Sequence, residues 1–145
     1  MQEIIKLKHH SEVQLDQLID IWLTSNLEAH NFIDSKYWLD NKKLVRKAFL
    51  DAELYVVEIK QRIVGFAGLQ DNYIAGIFIN NDYRRQGIGH VLLNQLKQTH
   101  AQLTLSVYEK NEEAVQFYLK NGFKKSGQNV DSETGEIEYQ MSWEV

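Results

Sequence analysis

A chain of 145 residues, 43% apolar and 25% charged, has the size and balance of one soluble domain with a single core. It contains no cysteine, which excludes disulfides, thiolate metal sites and a cysteine nucleophile, and no proline, so its turns fall to Gly, Asn and Asp. A net charge of -4 argues against nucleic acid as a partner, since phosphate binding relies on clustered Lys and Arg. No apolar run approaches the roughly 20 residues that cross a bilayer, and Met1–Lys8 lacks the apolar middle of a signal peptide. One domain over residues 1–145, a reducing cytoplasmic setting and no metal are therefore the expectations.

In chain order, Glu3–Lys8 alternates apolar and polar side chains and predicts a strand. Ser11 with Gln14 forms a capping-box pattern that opens a helix, and Leu15, Leu18, Ile19, Trp22 and Leu23 follow at helical spacing. A second helix starts near Asp34 or Ser35, with Trp38, Val45, Ala48 and Phe49 as its stripe. Leu54–Ile59 and Arg62–Leu69 read as a hairpin turning at Lys60 and Gln61. Tyr73–Ile79 is a nearly all-apolar run suited to a strand buried on both faces. A helix from about Gly87 to Thr99 places Ile88, Val91, Leu92 and Leu96 inward, and Leu103–Tyr108 is the next strand. Asn111 caps a helix that runs to Lys120 and stops at Gly122; two strands near Phe123–Val130 and Glu136–Trp143 close the chain. His9, His10 and His100 read as surface residues.

The order β, α, α, three β, α, β, α, β, β predicts a mixed α/β (α+β) architecture. Its single central sheet is mostly antiparallel and six- to seven-stranded, flanked by about four helices. Tyr73–Ile79 and Leu103–Tyr108 are its parallel pair.

The most informative stretch is Arg84-Arg85-Gln86-Gly87-Ile88-Gly89, between a strand and an amphipathic helix. Gly87 and Gly89 let the backbone turn tightly and approach a ligand. The following helix, through His90, offers unpaired N–H groups and its positive dipole end to an anion, and two arginines stand beside it. A Walker loop would need Lys and Ser or Thr where His90 and Val91 stand, and a dinucleotide fingerprint needs a third glycine.

This loop, with its Arg, two residues, Gly, one residue, Gly, resembles the pyrophosphate motif of the GNAT superfamily of N-acetyltransferases. Ile77-Phe78-Ile79 is similar to the family's preceding strand, which holds the pantetheine arm through its backbone. Asn111 through Phe117-Tyr118 to Gly122-Phe123 resembles the family's second motif. Asn81 departs from the proline often found near that position. The segments Ile21-Trp22, Ser25 and Ala29-His30-Asn31-Phe32 resemble a group of small bacterial members. The resemblance implies the GNAT fold and acetyl-coenzyme A as co-substrate. It implies cofactor contacts at Ile77, Phe78, Ile79, Arg84, Arg85, Gln86, Gly87, Ile88, Gly89, His90, Asn111 and Tyr118. The implied partner is a small-molecule or peptide amine, and the implied state a monomer or homodimer.

Direct attack of the amine on the thioester agrees with the absence of cysteine. A backbone N–H of Phe78 or Ile79 is the candidate for the carbonyl oxygen, and Tyr118 for protonating the leaving thiolate. For the proton of the incoming ammonium the candidates are His30, Asp71, Glu28 or a chain of waters, because Tyr73–Ile77 carries no carboxylate. A silent coenzyme A-binding module, another acyl donor and a non-amine acceptor are the alternatives.

Overall fold

The computed structural model describes residues 3–7 and 11–145. The expectations for Lys8, His9 and His10 lie outside the described residues. Strands β1 (Glu3–Leu7), β2 (Glu53–Ile59), β3 (Arg62–Gln70), β4 (Tyr73–Ile79), β5 (Gln102–Tyr108), β6 (Lys124–Val130) and β7 (Ile137–Glu144) form one sheet in the order β1-β2-β3-β4-β5-β7-β6. β4 and β5 are parallel, and the other neighbours are antiparallel.

Helix α1 (Glu12–Ala29) begins at Ser11, whose hydroxyl accepts from the Gln14 N–H while the Gln14 side chain accepts from the Ser11 N–H. The expected second helix is two. α2 (Ser35–Asp40) starts at the Asp34 cap and stops at Asn41, whose side-chain amide bonds the Tyr37 carbonyl; α3 (Lys42–Asp51) restarts from there. That local bond competes with helix continuation, as a mid-helix Asn is apt to do. α4 is Ile88–Thr99 and α5 is Glu112–Lys120. In α4, Ile88, Leu92 and Leu96 are buried as expected, Val91 is exposed, and Leu93 is buried in addition.

The sheet alternates cleanly in β2. Leu54 and Val56 face the core under α1, α2 and α3, whereas Tyr55 and Val57 face the core under α4 and α5. Covered on both sides, Ile63 to Leu69 of β3 is buried throughout. The hairpin turn is at Lys60 and Gln61 as expected, both with positive φ, the geometry of a two-residue primed turn.

β4 departs from expectation in a way that shapes everything after it. Of this strand only Ile74 is fully buried. Its ladder to β5 consists of two pairs, Tyr73↔Thr104 and Ile74↔Leu105. The register to β3 then jumps from Leu69↔Ile74 to Gly68↔Gly76, so Ala75 is a bulged residue. Beyond the bulge β4 keeps β3 as its neighbour and parts from β5.

Gly76 serves that bend by leaving room for the Phe78 ring, which folds back across it and packs on Phe66 with centroids 5.3 Å apart. A Cβ at Gly76 would lie 2.4 Å from the Phe78 ring, while one at Gly68 would meet only Leu54 at 3.5 Å. Gly76→Ala is therefore expected to destabilise the protein by about 1–3 kcal/mol through overpacking, and Gly68→Ala by less. Chemical denaturation of both variants checks this; equal midpoints would contradict it.

Candidate functional site

Where β4 and β5 part, a cavity of about 720 Å³ opens; it is lined by the end of α1, the second half of β4, the loop before α4, the start of α4 and the inner face of α5. Each wall presents a different chemistry.

The first wall is an uncapped helix start flanked by arginines. α4 begins at Gly87, φ 79, with no side-chain cap, and the first intrahelical bond is Val91 N–H to the Gly87 carbonyl. The N–H groups of Ile88, Gly89 and His90 thus have no partner within the helix. Arg85, φ 62, and Gly87 alternate with their neighbours to curl the loop, the backbone pattern of an anion-binding concavity. Arg84, Arg85, Gly87, Ile88, Gly89 and His90 line the cavity; Gln86 does not, and its side chain is exposed. A Cβ on Gly89 would touch the Phe117 ring at 3.4 Å, so this glycine also brings α4 close to α5. The His90 ring joins Asn121 at 2.8 Å and Asn94 at 3.1 Å, fixing the same two helices.

The second wall is a strand edge. Asn80 N–H bonds the Val64 carbonyl at 2.7 Å. Hydrogen-bonded pairs alternate along an antiparallel ladder, so Phe78 and Gly76 also turn their polar groups to β3, and Ile77 and Ile79 turn theirs to the cavity. The Ile79 carbonyl accepts Ser25 Oγ at 3.4 Å from that side. Of the two expected oxyanion donors, Ile79 N–H faces the cavity and Phe78 N–H faces the ladder. Phe78 lines the cavity through its side chain.

The third wall is α5. Asn111 and Tyr118, two helical turns apart, both line the cavity. Asn111 Oδ1 caps the helix by accepting Ala114 N–H at 3.3 Å. Tyr118 is 8% exposed; burial, then the nearby Tyr73, pushes its hydroxyl well above the ordinary tyrosine range. Its proton is therefore held throughout the neutral range.

The fourth wall, the last turn of α1, carries His30. Asn26, itself buried, donates to the Trp22 carbonyl at 2.8 Å, which turns its Oδ1 toward His30 Nδ1 at 2.9 Å. The ring proton is thus on Nδ1, and Nε2 accepts from Asn111 Nδ2 at 3.1 Å. Trp38 stacks on the ring at 5.3 Å, with Tyr108 and Phe32 edge-on at 5.2 and 5.6 Å. Burial lowers the His30 pKa to about 4. Both nitrogens are committed and the ring resists protonation, so His30 is a neutral bridge between α1 and α5 rather than the base its titration range suggests.

Asp71 is corrected more simply. It sits at φ 57 in the exposed β3–β4 turn, at the opposite end of β4 from the cavity, roughly 20 Å from Ile77 at the rise of a strand. Glu28 stands at the rim, accepting Asn81 Nδ2 at 2.8 Å and pairing with Arg84 at 3.1 Å. The sequence reading left out Asn26, Tyr83, Glu113 and Ala114, which also line the cavity. A polar Asn26 on the apolar face of α1 was the available signal. Glu113 lies one turn before Phe117, the residue facing Gly89, and so belongs to the anion end.

Comparison with known proteins agrees with this geometry. The family model described as acetyltransferase (GNAT) domain matches residues 26–145. The peptidyl-lysine N-acetyltransferase YiaC of Escherichia coli is 34% identical over 134 residues, covering 91% of this chain and 92% of YiaC. The solution structure of apo-form YjaB from Escherichia coli is 31% identical with a TM-score of 0.85, over 99% of this chain and 97% of that one. The same fold, at 19% identity and a TM-score of 0.78, recurs in the PaiA N-acetyltransferase of Thermoplasma acidophilum in complex with coenzyme A, over 100% and 99% of the two chains.

The neutral His30 ring has a consequence in acid. The unfolded chain takes up its proton near pH 6.5 and the folded chain near 4. Between those values the unfolded state binds more protons, so this part of the stability is complete above about pH 6.5 and disappears as pH falls to 4. The stability difference between wild type and His30→Gln should shrink over that window by about 1–2 kcal/mol, allowing for solvent screening. Denaturant titrations at several pH values measure it; a constant difference would contradict the neutral bridge.

Proposed function

The chain belongs to the GNAT acetyltransferase family, and from that premise we propose that it moves the acetyl group of acetyl-coenzyme A to the side-chain amine of a lysine in a peptide or protein. The observation that carries the reading is the seam between β4 and β5, with free strand-edge groups on one side and an uncapped, arginine-flanked helix start at its end. An elongated molecule with amides in its middle and a pyrophosphate at one end fits that sequence of partners. The lysine acceptor is supported by YiaC, a peptidyl-lysine N-acetyltransferase covered over 92% of its length.

The residues divide the work as follows. The N–H groups opening α4, with Arg84 and Arg85, hold the pyrophosphate as charge-assisted contacts. Ile77 and Ile79 pair with the pantetheine amides as an edge strand pairs with an added one. Of these two, Ile77 lies farther from the α4 start, so its cavity-facing N–H donates to the thioester oxygen as charge grows there, and Ile79 serves the amides nearer the pyrophosphate. Asn111 Nδ2 has two hydrogens and spends one on His30, leaving one for the cofactor.

Tyr118 acts as a hydrogen-bond donor to the departing sulfur. An alkyl thiol has a pKa of about 8.5, below that of the buried phenol, so the phenol steadies the thiolate without surrendering its proton. This modifies the simple proton-donor role. The ammonium proton is left to water: His30 is locked and neutral, Asp71 is remote and Glu28 stands at the rim, outside the residues that line the cavity. The ammonium first loses one proton to water; the free amine then forms the C–N bond, the C–S bond breaks and the thiolate leaves with its electron pair, and the nitrogen gives its second proton to solvent, so the transfer balances without an acyl-enzyme.

Isothermal titration and a peptide assay test the reading together. The protein should bind acetyl-coenzyme A more tightly than adenosine diphosphate, and should acetylate a peptide with one internal lysine but not its dimethyl-lysine counterpart. No coenzyme A binding would remove the donor site; binding without turnover on lysine peptides would remove the acceptor. Tyr118→Phe should lower kcat about tenfold to a hundredfold while changing the acetyl-coenzyme A Kd less than about threefold. Unchanged kcat would take the hydroxyl out of the mechanism.

A further inference from the structure

The last turn of α1 touches all three polar elements that the donor site uses. Ser25 Oγ donates to the Ile79 carbonyl, Glu28 pairs with Arg84 and accepts from Asn81, and the His30 ring accepts from Asn111. Two of these contacts leave capacity for a ligand: a carbonyl has a second lone pair, and Asn111 has a second N–H. The contact between Glu28 and Arg84 is different, because Glu28 supplies the Arg84 guanidinium with the same partner a phosphate would, an oxyanion.

We propose that Glu28 is a resident surrogate for the cofactor's pyrophosphate: in the unloaded protein it engages the Arg84 guanidinium, and it competes with the donor for Arg84. The proposal rests on the assignment of Arg84 to the pyrophosphate. Three features support competition over simple orientation. The pair is made at 3.1 Å through one guanidinium nitrogen, Nη2, and one carboxylate oxygen, Oε2, while Oε1 is held by Asn81 on the same loop. The carboxylate is therefore anchored to the loop independently of Arg84 and has a partner left when Arg84 departs. Both side chains are substantially exposed, at 36% for Arg84 and 48% for Glu28, so exchange of one oxyanion for another is cheap. Glu28 also stands outside the cavity while Arg84 and Asn81 line it, so the pair draws the guanidinium toward the rim.

The exchange has a second effect. On losing Arg84, Glu28 becomes an uncompensated carboxylate at the α1 rim, on the helix whose last turn also supplies the His30 wall. The arrival of the donor thereby converts a neutral rim into an anionic one that attracts a cationic acceptor. One side chain links the loading of the two substrates through charge alone.

The test is a double-mutant cycle on coenzyme A binding, using wild type, Glu28→Gln, Arg84→Ala and the double variant, with thermal melts to verify folding. Glu28→Gln should tighten coenzyme A about two- to fivefold, the range of an exposed ion pair. Arg84→Ala should weaken it, and in that background Glu28→Gln should have no effect. Pantetheine, which lacks the pyrophosphate, should bind wild type and Glu28→Gln alike. Weaker coenzyme A binding by Glu28→Gln would make Glu28 an orienting partner and overturn the proposal, as would unchanged binding. The same tightening with and without Arg84 would reduce the effect to the removal of a negative charge and overturn it too. Failure of wild type itself to bind coenzyme A would instead refute the donor site on which the proposal stands.

Discussion

A parallel ladder that lasts for two residue pairs is the constraint on which the rest of the molecule depends. If β4 and β5 had stayed together beyond Ile74 and Leu105, the polar edge of Ile77 and Ile79 would be consumed by β5 and the cavity would not exist. The opening is tolerable because each half of the sheet is secured on its other side. β5 pairs with β7 along its whole length, and β4 stays paired with β3 through Ile79. Backbone groups buried without partners are costly, so a parted seam of this kind is stable only where solvent or a ligand fills it. The Ala75 bulge sets the point of parting, and the bare Cα of Gly76 lets Phe78 fold over the bend.

The elements around the seam divide into a rigid support and a polar clasp. β3, buried throughout, separates two cores and gives β4 a fixed back. On the open side, α1 reaches across the parted strands and makes contact with β4, with the loop before α4 and with α5, each through one side chain. The aromatic ring set around His30 partly shields one of these contacts and leaves the charged one at the rim exposed. Burial thus fixes the geometry where the last turn of α1 meets α5, and the contact with the loop before α4 stays open to solvent.

Much of this was legible in the chain because it is local. The Ser11–Gln14 box, the Lys60–Gln61 turn, the Asn111 cap and the Gly87–Gly89 loop are each decided by a few consecutive residues, and the structure has all four. What the sequence concealed depends on partners far along the chain. Tyr73–Ile79 reads as a doubly buried strand because its composition cannot reveal that one side faces a cavity. His30 reads as a titrating base because the bond to Asn111 spans 81 residues. Asp71 is near β4 in sequence but lies at the wrong end of it. Gln86 occupies one of the motif's unspecified positions, and its exposed side chain is not among those that line the cavity. The break at Asn41 is local but depends on one side chain bonding the Tyr37 carbonyl, a choice that periodicity does not encode.

The bare start of α4 has a consequence for endurance as well as chemistry. α1 and α5 each hold one first-turn N–H with a side chain of their own, Ser11 and Asn111. α4 has no such side chain, and on the proposed donor reading an anion seated there takes its place. Anything that binds only the folded state raises its stability by mass action, by about 2.7 kcal/mol at a hundredfold excess over Kd. On the proposed donor reading, the folded fraction of the protein would therefore rise and fall with the surrounding coenzyme A concentration.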